Sequence, residues 1–139
     1  MPSTMKAMRV HELGGAFQLD EVPVPSPGPN DALLKLKATG VGLTPVLMRR
    51  TPGLIDKFPR IMGHEIAAEV VEIGSEVENV APGDLVTCHF YLVCHSCNYC
   101  RSGRETLCTE FRGYVGLVLD GGFAEYAAIP ALNLCKIPE

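Results

Sequence analysis

A run of four cysteines between residues 94 and 108 constrains the fold of this chain more than any other feature of its sequence. Their spacing is C-x2-C-x2-C-x7-C. Two intervening residues let neighbouring thiolates face one centre from a tight turn, and the longer excursion returns a fourth sulfur to that centre. Four thiolates that leave no open position are typical of a structural zinc site, whereas a catalytic zinc keeps one position free. We therefore predict that one structural zinc ion is bound by Cys94, Cys97, Cys100 and Cys108.

The segment that carries these cysteines is polar and cannot bury a core of its own. Metal ligation would supply the folding free energy that side-chain packing does not provide. We expect residues 92–110 to form a zinc-binding lobe that stands on a larger scaffold.

Disulfides, an iron–sulfur cluster and free thiols are the alternatives for such an array. Disulfides need an oxidising compartment, and the start of the chain lacks the apolar stretch of a signal peptide. The bacterial ferredoxin run also begins C-x2-C-x2-C, but its fourth cysteine follows after three residues and precedes a proline. Here seven residues intervene and Thr109 follows. Zinc is therefore the preferred interpretation of the array.

Length and composition indicate one globular domain. The 139 residues are 47% hydrophobic and 20% charged, enough for a single core. The formal net charge is -4 and no run of basic residues occurs, which argues against a nucleic-acid partner. No stretch approaches the ~20 apolar residues of a membrane span. Six cysteines without a secretory signal favour metal binding, and we expect a cytoplasmic location.

Short strand patterns separated by turn residues fill most of the remaining chain. We predict one hairpin from residues 5–11 and 17–21, and a second from residues 113–119 and 123–129. This pattern predicts a mainly β fold, either a sandwich or a barrel. Further strands are expected at residues 31–42, 66–73, 85–90 and 133–136.

The strand predicted at residues 31–42 has the clearest alternation. Leu34, Leu36 and Ala38 would share one face, and lysines would occupy the other face. Such a pattern is typical of a half-buried strand.

One short helix is predicted at residues 44–50. Thr44 would be its N-cap and Pro45 its first helical residue, both preferred residue types at those positions.

His64 and Glu65 follow a glycine in a loop that leads into a predicted strand. A single histidine is more often a structural residue than a metal ligand, so the pair alone is a weak indication of a metal site.

Taken in chain order, several short motifs resemble the N-terminal, GroES-like catalytic domain of the zinc-containing medium-chain alcohol dehydrogenases. The resemblance covers essentially the whole chain. It implies that residues 1–139 form one GroES-like domain, a partly open β-barrel with short helices and a zinc-binding lobe. The matching pieces are Met5-Lys6-Ala7, Gly40-Val41-Gly42, Gly63-His64-Glu65, Pro82-Gly83-Asp84-Leu85-Val86, the four-cysteine segment and Gly121-Gly122-Phe123-Ala124-Glu125-Tyr126.

The resemblance also implies roles for individual residues. The four cysteines match the family's structural zinc ligands. His64 matches the catalytic zinc histidine, and Glu65 matches a glutamate that approaches or ligates the metal in some members. Thr44 matches the hydroxyl residue that relays the alcohol proton, and Phe90 matches a residue that lines the substrate pocket. The implied substrate is a small alcohol or carbonyl compound, with NAD or NADP bound in a longer chain; homo-oligomerisation is left open.

The sequence departs from the family pattern at one important position. Gly42 stands where the family has its first catalytic zinc ligand, a cysteine. A catalytic zinc needs three protein ligands and an open position, whereas His64 and Glu65 supply at most two ligands here. We therefore expect one tightly bound zinc per chain. Cys88 and Cys135 are interpreted as small buried hydrophobic residues.

The nucleotide-binding part of the family also has no counterpart in this sequence. The Gly40-x-Gly42 segment has Pro45 where a dinucleotide fingerprint needs its third glycine, so the Rossmann domain is absent from this chain. Two hypotheses follow. The preferred one is the catalytic-domain part of a longer NAD(P)-dependent alcohol dehydrogenase or reductase. The alternative is a non-catalytic, zinc-stapled β-domain used for binding or assembly.

Overall fold

The computed structural model describes residues 1–138, which form ten strands and two short helices. Two 3₁₀ turns occupy Glu105–Leu107 and Ala131–Asn133. The fold is mainly β with short helices, which confirms the predicted fold class. The helices are α1 (Leu43–Met48) and α2 (Asn98–Arg101). The strands are β1 (Thr4–Val10), β2 (Phe17–Pro23), β3 (Asp31–Thr39), β4 (Arg60–Ile61), β5 (Ile66–Ile73), β6 (Leu85–Cys88), β7 (Tyr91–Leu92), β8 (Gly113–Tyr114), β9 (Tyr126–Pro130) and β10 (Leu134–Lys136).

A five-stranded sheet in the order β10-β6-β5-β3-β9 is the centre of the fold, and all its pairings are antiparallel. A second sheet has the order β2-β1-β4, and β7 with β8 forms a two-stranded ribbon. None of the helices in residues 1–138 is long and apolar enough to cross a membrane.

The first predicted hairpin is confirmed. Strands β1 and β2 pair antiparallel, with Met5 opposite Val22 and Val10 opposite Phe17. Gly14 lies in the connecting turn with a φ of 75°, a left-handed conformation that glycine adopts without steric cost. Strand β2 runs on to Pro23, which an edge strand tolerates because its outer N–H positions need no partner.

Strand β3 does not keep the simple alternation that its sequence suggests. Its register against β5 shifts between Leu33 and Leu34, and again between Leu36 and Ala38. Leu33 and Leu34 point to opposite faces of the strand and are both buried, in separate apolar clusters, whereas Ala38 is exposed. The second shift leaves Lys37 of β3 without a paired residue in β5, and sequence periodicity cannot reveal such a bulge.

The second predicted hairpin is wrong. Strand β8 pairs with β7, and β9 pairs with β3, so residues 113–119 do not form a hairpin with residues 123–129. Pairing with β3 places Ala127 and Ile129 in the main core. Burial on the central sheet is more favourable than a local hairpin, which would leave one apolar face uncovered.

Two glycines allow the segment after β8 to lie directly on the loop that contains His64. Gly121 N–H donates to Ile61 O at 2.8 Å, and Gly122 N–H donates to Gly63 O at 2.8 Å. A Cβ atom at Gly121 would lie 2.0 Å from Gly63 O. Gly121 must therefore lack a side chain for the two backbones to approach this closely. The contact fixes residues 61–63, which directly precede His64.

A buried cation anchors the same loop from the other side. Arg60 is 3% exposed and forms ion pairs with Asp56 at 2.5 Å and Asp120 at 2.9 Å. Asp120 also accepts a hydrogen bond from Ile61 N–H at 3.1 Å. These contacts fix β4 immediately before residues 63–65.

The backbone approach at Gly121 leads to a stability prediction. Gly121→Ala should lower the free energy of unfolding by about 1–3 kcal/mol, because the clash is with a backbone oxygen that has little freedom to move. Denaturant unfolding measures this difference.

Gly28→Ala is the matched control. Its Cβ would meet the Asp31 carboxylate at 2.9 Å, at the free end of a side chain that can rotate away. Equal stability losses in the two variants would contradict the proposed role of Gly121.

Candidate metal centre and the adjoining polar loop

The cysteine lobe is the connection between strands β7 and β8, which pair as a two-stranded ribbon. Arg112 N–H donates to Leu92 O at 2.9 Å, so the chain enters and leaves the lobe through the same paired segment. Helix α2 lies within the lobe and carries Cys100, while Cys97 is its N-cap. The ribbon closes the loop at its base, and the cysteines meet inside it.

The four cysteine sulfurs converge on one point. The Sγ atoms of Cys94, Cys97, Cys100 and Cys108 all lie within 4.8 Å of one another. The Sγ atom of Cys94 is 3.9 Å from that of Cys100 and 3.6 Å from that of Cys108. Zn–S bonds of about 2.3 Å place tetrahedral sulfurs about 3.8 Å apart. The cluster therefore fits a structural zinc ion, and all six cysteines of the chain are free thiols.

Backbone N–H groups point at these sulfurs. Cys97 N–H donates to Cys94 Sγ at 3.3 Å, and Glu110 N–H donates to Cys108 Sγ at 3.3 Å. The pKa of the Cys97 thiol is lowered to about 6. The main cause is a hydrogen bond from the Cys100 N–H group, followed in size by one from the Thr109 N–H group. These hydrogen bonds favour the thiolate, which is the form that ligates a metal, whereas burial raises the pKa of the Cys100 thiol to about 12.

The turn between the first two cysteines has a feature that the sequence did not indicate. His95 adopts a φ of 56°, the left-handed region that non-glycine residues rarely visit. This conformation bends the chain so that Cys94 and Cys97 face the same centre.

The N-cap of helix α1 lies two residues earlier than predicted. It is Gly42, in an extended conformation, and the first helical residue is Leu43. Thr44 is therefore not the N-cap; it is the second helical residue and is half-buried. Glycine is itself an acceptable N-cap, so the helix begins two residues before the position that the threonine and proline indicate.

Glu65 lies over two glycines of the β3–α1 connection. A Cβ atom at Gly40 would be 1.8 Å from Glu65 Oε2, and one at Gly42 would be 3.3 Å from Oε1. Gly40 N–H also donates to Glu65 O at 2.9 Å. The structure thus brings the candidate residue Glu65 next to Gly42, the position at which the expected ligand cysteine is missing.

His64 is half-buried and lies against Phe90. Their ring centroids are 4.8 Å apart and the rings are tilted by 35°. Phe90 in turn contacts Tyr91 and Tyr114, whose ring centroids are 4.7 Å and 5.7 Å away. An aromatic cluster on the β7–β8 ribbon therefore reaches from the base of the lobe to the candidate histidine.

An apolar cavity of about 470 Å³ opens beside Gly42. Thr39 lines it, and its buried Oγ1 has no hydrogen-bond partner within residues 1–138. Sequence reasoning missed Thr39, because the strand pattern marks it only as one polar residue among several. Phe90, which the resemblance places at the substrate pocket, is not among the residues that line this cavity. The lining residues are Met8, Phe17, Thr39, Val41, Gly42, Pro45, Val46, Gly122, Phe123 and Ala124.

A catalytic zinc does not fit the residues of this chain. Gly42 offers no ligand atom, which leaves the His64 ring and the Glu65 carboxylate as donors. Within residues 1–138, the four cysteines are the one group of three or more His, Cys, Asp or Glu residues that could hold a metal ion. Since a catalytic zinc requires three protein ligands, the described residues do not complete such a site.

The two remaining cysteines differ from each other. Burial raises the pKa of the Cys88 thiol to about 12, and this half-buried side chain packs against the main core. The prediction for Cys135 is wrong, because this residue is exposed. It lies on the edge strand β10, where its neighbour Leu134 faces the core and alternate side chains point to solvent.

Comparison with known proteins places this geometry in a family. The model of the alcohol dehydrogenase GroES-like domain matches residues 28–139. The chain is 39% identical to L-threonine 3-dehydrogenase from Pyrococcus horikoshii, over 100% of this chain and 40% of that protein. It is 38% identical to L-threonine 3-dehydrogenase from Xanthomonas campestris, over 97% of this chain and 40% of that protein. The chain thus spans about two fifths of the length of these relatives.

Solved structures show the same similarity. A thermostable alcohol dehydrogenase from Pyrobaculum aerophilum, with cobalt and zinc bound, superimposes with a TM-score of 0.88 at 32% identity, over 98% of this chain and 42% of that one. Acetophenone reductase from Geotrichum candidum, in complex with NAD, superimposes with a TM-score of 0.85 at 34% identity, over 100% of this chain and 41% of that one. The chain therefore belongs to the family of GroES-like domains found in zinc-containing medium-chain alcohol dehydrogenases.

Proposed function

We propose that residues 1–139 form the catalytic-domain part of an NAD(P)-dependent alcohol dehydrogenase or reductase, with a structural zinc in the lobe at residues 92–110. One observation carries this proposal: the Glu65 carboxylate lies beside Gly42, and Gly42 lines an apolar cavity. Thr44 follows Gly42 in the first turn of α1. An apolar cavity with a few polar groups is the usual form of a small-molecule site.

The residues of the chain have distinct roles in this proposal. The cavity holds the apolar part of the substrate and excludes water from it. In alcohol oxidation, Thr44 receives the hydroxyl proton and passes its own proton onward, and the His64 ring is assigned as a group that can both accept and donate a proton. The sequence has no dinucleotide fingerprint, so hydride transfer is assigned to a nicotinamide cofactor held by a separate domain.

A small secondary alcohol and its ketone are the proposed substrate pair. Two relatives are L-threonine 3-dehydrogenases and one structural relative is an acetophenone reductase. The cavity of about 470 Å³ is large enough for a substituent of modest size, and its walls are apolar. The free cysteines suit a reducing compartment, which supports the predicted cytoplasmic location.

The alternative, a zinc-stapled binding domain, is favoured by a different observation. Val41 and Leu43 are 80% and 75% exposed, and Leu47 is also exposed on α1. Three large apolar side chains on one short segment form a surface suited to contact with another protein surface. The presence of Gly42 in place of a metal ligand agrees with this alternative.

The enzymatic proposal is tested with the complete reading frame that encodes this chain. The protein should reduce NAD⁺ or NADP⁺ with small secondary alcohols, including L-threonine. His64→Ala should lower kcat/KM by about 10²–10⁴-fold, the usual contribution of a proton-transferring group, and should leave the melting temperature nearly unchanged.

His11→Ala is the matched control, because His11 contacts Asp20 within the β1–β2 hairpin. A reading frame without a nucleotide-binding domain, or full activity in His64→Ala, would favour the binding domain over the enzyme.

Metal analysis of the chain should find one zinc ion. Cys97→Ser or Cys100→Ser should release it and unfold the lobe, because the remaining three sulfurs no longer complete the site. Cys135→Ser should retain both the zinc and the wild-type melting curve, since Cys135 lies outside the cluster. A Cys100→Ser variant that melts like the wild type would refute a structural role for the metal.

Gly42→Cys should create a second zinc site. The introduced thiol would join the Glu65 carboxylate, whose Oε1 lies 3.3 Å from the Cβ position at residue 42, and the His64 ring. Titration with Co²⁺ should then give two bound ions with distinct thiolate charge-transfer spectra.

Gly42→Ala adds the Cβ without a ligand and should still bind one ion. Two firmly bound ions in the wild type would overturn the view that Gly42 removes the catalytic metal.

A further inference from the structure

Asn133 is a buried polar residue that the proposed function does not use. It is 2% exposed and ends the 3₁₀ turn Ala131–Asn133, immediately before β10. Its side-chain amide donates to His89 O at 2.6 Å and to Tyr91 O at 2.7 Å. Its own backbone carbonyl accepts a hydrogen bond from His89 N–H at 2.7 Å.

These hydrogen bonds flank Phe90. Strand β6 ends at Cys88 and β7 begins at Tyr91, so residues 89 and 90 lie between the two strands. The Asn133 amide satisfies the carbonyls on both sides of Phe90 that sheet pairing does not reach. A buried carbonyl without a partner is costly, and the amide therefore restricts the backbone here to one conformation.

Further contacts fix both the backbone and the ring of Phe90. Val115 N–H donates to Phe90 O at 3.0 Å. The Tyr91 and Tyr114 rings pack around the phenyl ring at centroid distances of 4.7 Å and 5.7 Å. The His64 ring lies 4.8 Å away. A change in the backbone of Phe90 would therefore change the surface on which the His64 ring rests.

We propose that Asn133 is a positioning residue for His64, acting through Phe90. Its side-chain amide fixes the backbone of residues 89–91, this backbone sets the position of the Phe90 ring, and the ring confines the imidazole. The importance of His64 in a reaction rests on the proposed function, but the physical link from Asn133 to His64 does not.

The test uses the NMR signals of the His64 ring in the labelled 139-residue chain. The nearby Phe90 ring shifts these signals through its ring current, so they report the distance between the rings. His64→Gln assigns the signals, and Phe90→Leu gives their position without the aromatic ring. Asn133→Ala should move the His64 signals toward the Phe90→Leu position and leave those of His11 unchanged.

Asn79→Ala is the matched control. The Asn79 amide also donates to a backbone carbonyl, at 2.8 Å, but its acceptor is Ala131 O and not a carbonyl of residues 89–91. This variant loses a similar hydrogen bond and should leave the His64 signals in place. Signals that stay in place in Asn133→Ala, despite a lower melting temperature, would reduce Asn133 to a purely structural residue and overturn the proposal.

If Asn133→Ala does not fold, a milder substitution at the same position tests the proposal. Asn133→Ser keeps one donor and should move the His64 signals part of the way. In the wild type, nuclear Overhauser contacts should join the His64 and Phe90 rings, and their absence would overturn the proposal without any variant.

The two proposals fail separately. If the complete protein lacks dehydrogenase activity while Asn133→Ala moves the His64 signals, the proposed function fails and the positioning role stands. If activity depends on His64 but Asn133→Ala leaves the His64 signals in place, the positioning role fails and the proposed function stands.

Discussion

The convergence of four cysteine sulfurs is the interaction on which the lobe at residues 92–110 depends. No apolar core cluster lies within the lobe as described, and the short β7–β8 ribbon joins its two ends. Tyr91 and Tyr114 lie on that ribbon and pack against Phe90, which contacts His64. The convergence of the thiolates on one centre therefore stabilises the β7–β8 ribbon. This ribbon in turn carries the aromatic contacts of the candidate site.

Close backbone approach is the second constraint, and glycine makes it possible. Gly121 lies on the loop that precedes His64, and Gly40 leaves space for the Glu65 carboxylate. Gly42 belongs to the same connection, but there the missing side chain has a chemical consequence, since it removes a metal ligand. Glycines that look alike in the sequence therefore serve packing at some positions and change the chemistry at another.

The sequence predicted the elements with strong local signals. The first hairpin and β5 are confirmed, because alternating or β-branched residues bounded by glycine leave few other structures. The prediction for residues 113–129 failed because a turn signal at Gly121 and Gly122 indicates a reversal of the chain but not its pairing partner. The prediction for Cys135 failed because burial depends on which face of an edge strand meets the core.

The sequence by itself determined the family, the mainly β fold and the four-cysteine site, since these depend on spacing, turn chemistry and residue type. Only the tertiary structure decided which strands pair, where Glu65 lies relative to Gly42, and that Asn133 binds the backbone on both sides of Phe90. Those contacts join residues distant in the chain, 44 positions apart for Asn133 and His89. Local propensity carries no information about such contacts, because they form only when the whole core assembles.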